Sequence, residues 1–363
     1  MRFQLLTAGV IAFFIPTFSY SSSEQLVGTI QKLFRQALTI DEYYHSHVYQ
    51  GADGNRTILS LEPYPTSLVS KIYQAGSLSP SNALRLYNDH DLIEGMRDIY
   101  KDGSAPLRLQ QYASRHNKSK FPFMINLTIQ HWYDLESLEF LHDLASSSWQ
   151  HKNLFNLCLF SLSITDCCLQ SFDTHHVKHF PHLSSLDLHN NMIKKLISHV
   201  EEDHLPSLEH LDLSDNSIKQ IGTFFRNNGR WLRILSLEDN EISSLPDQCF
   251  SGLSRIDYLN LANNLLRSHK ISTASFEKVG ADSIFFNLKI NLDNNVLIHF
   301  PSMKAVRQKL IELSLNDNPI SDIAVEAEET QFLSLRAVHL QYPMRSTAKE
   351  KELAELLKPV LPD

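Results

Sequence analysis

Long apolar runs are nearly absent from this 363-residue sequence. Residues 5–18 (LLTAGVIAFFIPTF) are too short to span a bilayer comfortably, no second apolar run appears and no apolar tail closes the sequence, so no stable membrane insertion is expected once that segment is cleaved. Multi-span membrane proteins and a glycolipid-anchored product are thereby set aside. Cysteine is scarce, with only Cys158, Cys167, Cys168 and Cys249. None stands near the amino terminus, which argues against a bacterial lipoprotein. Their spacings resemble no paired-cysteine cap, and four cysteines leave three pairings open. Adjacent Cys167 and Cys168 are too constrained to bond each other without strain. Cys249, next to Phe250, reads as a small buried residue. Positive charge is in deficit, with 33 Lys and Arg against 41 Asp and Glu, which opposes a nucleic-acid partner. Nucleophile elbow, phosphate loop, H-E-x-x-H and kinase signatures are all missing. No catalytic residue, cofactor or metal is therefore assigned, and the chain reads as a non-enzyme.

The apolar fraction of 42% is that of a globular chain. Residues 1–21 resemble a signal peptide: Arg2 opens them, Leu5 to Phe18 form the apolar core broken by Pro16, and Ser19 to Ser23 offer a small-residue cleavage region. A secreted or periplasmic product follows. Residues 22–118 are read as a small helical domain. Leu26, Ile30, Leu33, Phe34 and Ala37 share one helical face. Gly51 to Asn55 (GADGN) form a turn. Leu68, Ile72 and Tyr73, then Leu92, Met96, Ile99 and Tyr100, suggest further helices. The segment Asp41 to His47 (DEYYHSH) holds metal-capable side chains, but a polar helix face or loop explains it without a metal.

Residues 208–242 organise the rest. Leu208, Leu211, Leu213, Asn216 and Ile218 form L-x-x-L-x-L-x-x-N-x-I, and Leu232, Leu235, Leu237, Asn240 and Ile242 form it again 24 residues on. Phasing outward gives about nine units over residues 119–343. They open at Met124, Leu154, Leu183, Leu208, Leu232, Ile256, Asn287, Leu310 and Leu335. Asn191, Asn216, Asn240, Asn264, Asn295 and Asn318 fill the Asn place, which Trp132, Leu162 and Pro343 take in the first, second and last units. Two intervals are long: 154–183, which contains Asp173 to His179 and His182, and 256–287. Such extra residues map to loops off the regular stack. His175, His179 and His182 read as solvated, since no Glu or Cys set completes a zinc site. Thr347 and Glu350 form a capping box before Leu353, Leu356 and Leu357, so residues 344–363 are read as a capping helix and tail.

The units resemble the leucine-rich repeat family. The resemblance implies an α/β solenoid, a horseshoe whose short parallel strands line a concave face. It also implies an Asn ladder that satisfies backbone groups where each strand turns away. Phe250, Phe180, Phe225, Phe276 and Phe300 match the Phe that packs in the convex layer of the extracellular variant. The helical domain and the terminal helix would cover the two open ends of the array. The cysteine-rich caps usual in animal extracellular members are missing, which points to a bacterial exported protein. Residues between the Leu positions would face a partner: Phe160, Asp187, His189, His210, Asp212, Ile234, Ser236, Glu238, Tyr258, Asn260, Lys289, Asp293 and Glu312. Acidic side chains dominate this set, so the expected partner is a protein with a basic surface. Ile234, Tyr258, Phe160 and His210 are the candidate anchors. Asp215, Asp239, Asn263, Asn294 and Asp317 are set aside as having a local turn role. The alternative reading is an exported effector whose activity lies in residues 24–118, with the repeats selecting its target. Asn55, Asn117 and Asn126 are glycosylation tripeptides that apply only in a eukaryotic secretory route.

Overall fold

The computed structural model describes residues 22–39, 46–51, 54–63, 123–146, 148–149, 155–156, 158–199, 205, 207–283, 287–321 and 334–340. The signal segment, the helices expected within residues 64–122, the segment 41–45 and the carboxy-terminal helix lie outside the described residues. Among the described residues no helix is long and apolar enough to cross a membrane.

The first element is α1 (Ser22–Thr39). Its expected face is the buried one: Leu26, Ile30 and Phe34 are fully buried, and Leu33 and Ala37 nearly so. Phe34 meets Phe155 and Trp149 edge-on, with ring centroids 5.3 and 5.9 Å away. The chain then forms β1 (Ser46–Gln50) and β2 (Arg56–Pro63), an antiparallel hairpin around the expected turn. Gly51 N–H donates to Asn55 O at 2.9 Å. Gly54 has φ of +85°, a conformation glycine adopts without a Cβ penalty. A purely helical reading of this region misses the hairpin, although Thr57, Leu59 and Leu61 alternate with a period of two and all three are buried.

Among the described residues one sheet of eleven strands runs through the repeats. β2 pairs antiparallel with β3 (Phe123–Gln130), and every later pairing is parallel. The succession continues through β4 (Leu159–Thr165), β6 (Ser185–Asp187), β8 (His210–Asp212), β9 (Ile234–Ser236), β10 (Tyr258–Asn260), β11 (Leu288–Asn291), β12 (Leu310–Ser314) and β13 (Ala337–His339). A second, two-stranded sheet pairs β5 (Ser171–Asp173) with β7 (Lys195–Ile197). Each repeat buries its Leu positions in one continuous core: Leu186 and Leu188, Leu211 and Leu213, Leu235 and Leu237, Leu259 and Leu261 are 1% exposed or less. No single repeat has enough apolar surface to fold alone, so stability comes from stacking on neighbours.

The opposite layer is aromatic. Phe225, Phe250 and Phe276 lie in line, with centroids 6.0 and 6.1 Å apart, and all are buried. Phe180 joins Phe155 at the amino-terminal end at 6.4 Å. Phe300 is only partly buried.

The register corrects the phase of the second unit. Leu162 pairs with Leu127 and Leu186, and Ser163 with Thr128 and Asp187. Leu162 is therefore a strand core residue, and Cys167 holds the Asn place. The unit opens at Leu159, 24 residues before Leu183, so that interval is regular. The excess residues fall earlier, between β3 and β4, and contain α2 (Glu139–Ser146), whose Phe140, Leu141 and Leu144 are buried. The interval 256–287 is long, as expected. Trp132 does stand in the first Asn place and donates its indole N–H to Arg56 O at 3.2 Å.

Candidate functional site

The Asn ladder is built as the residue type requires, from two donor hydrogens and an acceptor. Asn240 is 7% exposed. Its Nδ2 donates to Leu213 O in the preceding repeat (2.9 Å) and to Leu237 O and Glu238 O in its own. Its Oδ1 accepts Ile218 N–H at 2.9 Å. Asn191, Asn216, Asn264, Asn295 and Asn318 repeat the arrangement. Cys167 is a poorer substitute: its Sγ donates to Thr165 O at 3.3 Å. Cys is a recognised alternative to Asn in this pattern, and that was the signal for the correct phase.

The next residue column has a backbone reason. Asp166, Asn190, Asp215, Asp239, Asn263, Asn294 and Asp317 have φ between 49° and 55°. Asn and Asp tolerate the left-handed region better than other side chains with a Cβ.

On the open face of the sheet, the strand register lines the expected residues up in rows. His210, Ile234, Tyr258, Lys289 and Glu312 are successive partners across β8 to β12. Adjacent strands stand about 4.8 Å apart, which brings neighbouring side chains in the row within reach of each other. Ile234 is 39% exposed, unusual for an isoleucine at the centre of a sheet. A second row runs Ser163, Asp187, Asp212, Ser236, Asn260 and Asn291, and His339 ends it beyond Ser314. A third contains His189, Glu238 and Asp293 at the strand ends. Phe160 does not join them. It stands one place before Ser161, the residue that pairs with Ser185, so Ser161 and Ser163 take the facing positions in that repeat. The phase error placed Phe160 on this face.

The carboxylates already have local tasks. Asp187 Oδ1 accepts the backbone N–H of His189 at 3.1 Å and Asp212 Oδ1 that of Ser214 at 2.9 Å. Asn260 and Asn291 do the same for Ala262 and Asp293. These side chains close the strand ends as Asx turns, a role their spacing alone does not reveal. Glu238 accepts from Asn260 (2.7 Å) and Asn263 (3.2 Å). Asp187 also bonds His189 Nδ1 at 2.8 Å. Burial alone would lower the His189 pKa, but the hydrogen bond and charge of Asp187, with Asp212 and Asp166, outweigh it and raise the value. Lys289 and Glu312 form an ion pair of 2.6 Å, and His339 adds a contact at 3.4 Å. The Lys289 hydrogen bond is the main reason the Glu312 carboxyl titrates below its usual range. Burial raises the Tyr258 phenol.

The described cysteines are all free thiols, and Cys158, Cys167 and Cys249 are buried. Burial pushes the Cys167 and Cys249 thiols up to about 12, so neither is a reactive thiolate. The histidines of segment 173–182 are less solvated than the sequence implies, and His182 is only 8% exposed. Among the described residues no group of three His, Cys, Asp or Glu side chains converges as a metal site.

The leucine rich repeat family model matches residues 159–218 and 230–279. Toll-like receptor 8 of Homo sapiens is 29% identical over 121 residues, which are 31% of this chain and 11% of the receptor. The chain thus spans about a tenth of the length of that curated relative. Among solved structures, a leucine-rich repeat protein of Leptospira interrogans is 22% identical with a TM-score of 0.40, covering 52% of this chain and 45% of its own. Internalin C2 of Listeria monocytogenes is 17% identical with a TM-score of 0.41, covering 71% and 96%. A Toll-like receptor 13 solved with a single-stranded RNA is 22% identical with a TM-score of 0.38, covering 57% and 35%. The family matches fall on the repeats whose strands, buried Leu positions and Asn ladder are described above: these units are leucine-rich repeats.

Proposed function

We propose that this protein is a secreted, non-enzymatic scaffold that binds another protein through the concave face of its repeats. The observation that carries the reading is the row His210–Ile234–Tyr258, which sets an exposed isoleucine between two aromatic rings. Asp187, Asp212 and Glu238 flank it. Repeat solenoids use such extended faces for binding, and interfaces concentrate their energy in a few apolar or aromatic anchors ringed by polar groups. The carboxylates that close Asx turns keep unused lone pairs, so they accept hydrogen bonds from a partner without losing their local role. A basic protein surface is their complement. The same charge opposes nucleic acid, whose phosphates require cationic contacts. On this reading residues 22–118 and 344–363 are end covers of the array formed by residues 119–343.

The test uses photo-crosslinking and affinity capture with the full chain, an Ile234→Arg variant and a triple variant, D187K/D212K/E238K. A crosslinker placed at Ser236 should trap a protein whose recovery falls at least tenfold with either variant. A Lys219→Glu control on the exposed flank should leave recovery unchanged. Recovery that is indifferent to both face variants, but lost with residues 24–118, would move the activity to the amino-terminal region.

A further inference from the structure

Among the described residues, histidines are dense in and around residues 173–183. His175, His176, His179 and His182 belong to residues 173–183, His142 to α2, and His199 follows β7. His142 and His179 have ring centroids 5.5 Å apart, and His175 and His199 5.3 Å. His182 is 8% exposed. His182 Nε2, His179 Nε2 and His176 Nδ1 are all buried and, among the described residues, without a hydrogen-bond partner. Lys178 Nζ lies 2.9 Å from His175 Nε2. The facing anions are Asp173, which bonds His175 N–H at 2.8 Å and His199 Nε2 at 3.0 Å, and Glu139 from α2.

The segment is pinned by its apolar residues. Val177, Phe180 and Leu183 are 2–4% exposed. Three short turns join them: Val177 N–H to Thr174 O, Phe180 N–H to Val177 O, and Leu183 N–H to Phe180 O, at 3.0–3.2 Å. Opening the segment would uncover Phe180 and the Phe155 ring it packs on.

We propose that residues 173–183 form an acid-sensitive latch, closed while the imidazoles of His176, His179 and His182 are neutral and opened when they take up protons. A proton on His182 would sit in a buried site, one on His179 would face Lys178, His142 and His175, and one on His176 would face burial, His175 and His142 against the attraction of Asp173 and Glu139. The energetics agree in sign. Burial lowers His182 from 6.5 to about 4. Burial also lowers His176, and burial with Lys178, His142 and His175 lowers His179. A histidine depressed in the closed state leaves that state intact above about 6.5 and costs it stability as pH falls towards about 4. His182 alone shifts the open-to-closed ratio by roughly 20-fold between pH 7 and 5. The latch is independent of the concave-face reading.

Hydrogen exchange on the full chain tests it, with rates corrected for the intrinsic pH dependence. Protection of residues 174–183 should fall at least tenfold from pH 7 to pH 5, while residues 210–213 and 234–237 keep theirs. The triple variant H176N/H179N/H182L should keep that protection at pH 5. Should it not fold, His142→Asn at an exposed position of α2 removes one neighbouring charge and should move the wild-type midpoint to lower pH. Unchanged wild-type protection, equal loss in every repeat, or a variant that opens as the wild type does would each overturn the latch.

Discussion

Replacing one ladder residue measures how repeats are held to each other. In Asn240→Leu the branched shape of the side chain is kept and every hydrogen bond of the amide is lost. Ile218 N–H then has no acceptor, and Leu213 O, Leu237 O and Glu238 O each lose a donor. The site is 7% exposed, so water does not readily replace them. A buried N–H left unpaired costs about 1–3 kcal/mol, and a carbonyl, with its second lone pair, costs less. The sum is about 3–5 kcal/mol, a large part of the roughly 5–15 kcal/mol that holds a domain together. Equilibrium urea unfolding followed by circular dichroism should show that loss. Glu241→Ala, one position on, is the control. It removes a surface ion pair with Lys219 at 3.4 Å and should cost less than about 1 kcal/mol. Asn240→Asp adds a signature specific to hydrogen bonding: its stability should rise as pH falls, because the protonated carboxyl recovers one donor. If N240L and E241A prove equal within about 1 kcal/mol, the ladder does not hold the repeats together.

Two further outcomes follow from single contacts. Lys309 Nζ gathers the carbonyls of Gly280, Ala281 (2.6 Å) and Ser283 (3.4 Å), so Lys309→Met should cost about 1–3 kcal/mol and raise hydrogen exchange at residues 280–283; unchanged exchange there would refute the role. A Cβ on Gly252 would meet Phe225 O at 2.4 Å and Arg226 O at 2.9 Å, both backbone atoms that give little. Gly252→Ala should therefore lower the midpoint of thermal unfolding by several degrees, and an unchanged midpoint would show that the turn relaxes.

The repeats were legible because their physics is periodic. A Leu every two or three residues followed by Asn has one structural use, and residues 183–320 follow that rule closely. The second unit was misread because Leu154, Leu157 and Leu159 imitate the spacing, while the true unit of Leu159, Leu162 and Ile164 ends in Cys167. The amino-terminal hairpin was hidden for a different reason. The alternation of its strands is easily lost beside the strongly amphipathic α1. The face residues could be assigned to columns, but not their hydrogen bonds. Whether Asp187 waits for a partner or closes a turn depends on the backbone at His189, two residues away. The burial of His182 likewise comes from tertiary packing, which local spacing does not encode.

Two kinds of adhesive hold this array, and they differ in what they permit. In the central repeats the strands are three residues long, and the Asn amide closes each joint with the same bonds on both sides. At the amino-terminal end, where Trp132 and Cys167 replace Asn, β3 and β4 are eight and seven residues long and join through an extended backbone ladder instead. A central unit is thus interchangeable: duplicating or deleting 24 residues there regenerates an equivalent joint. The first two units are fitted to each other and to the hairpin, and tolerate no such shuffling. The length of this protein is therefore free to vary in its middle, while its beginning is fixed.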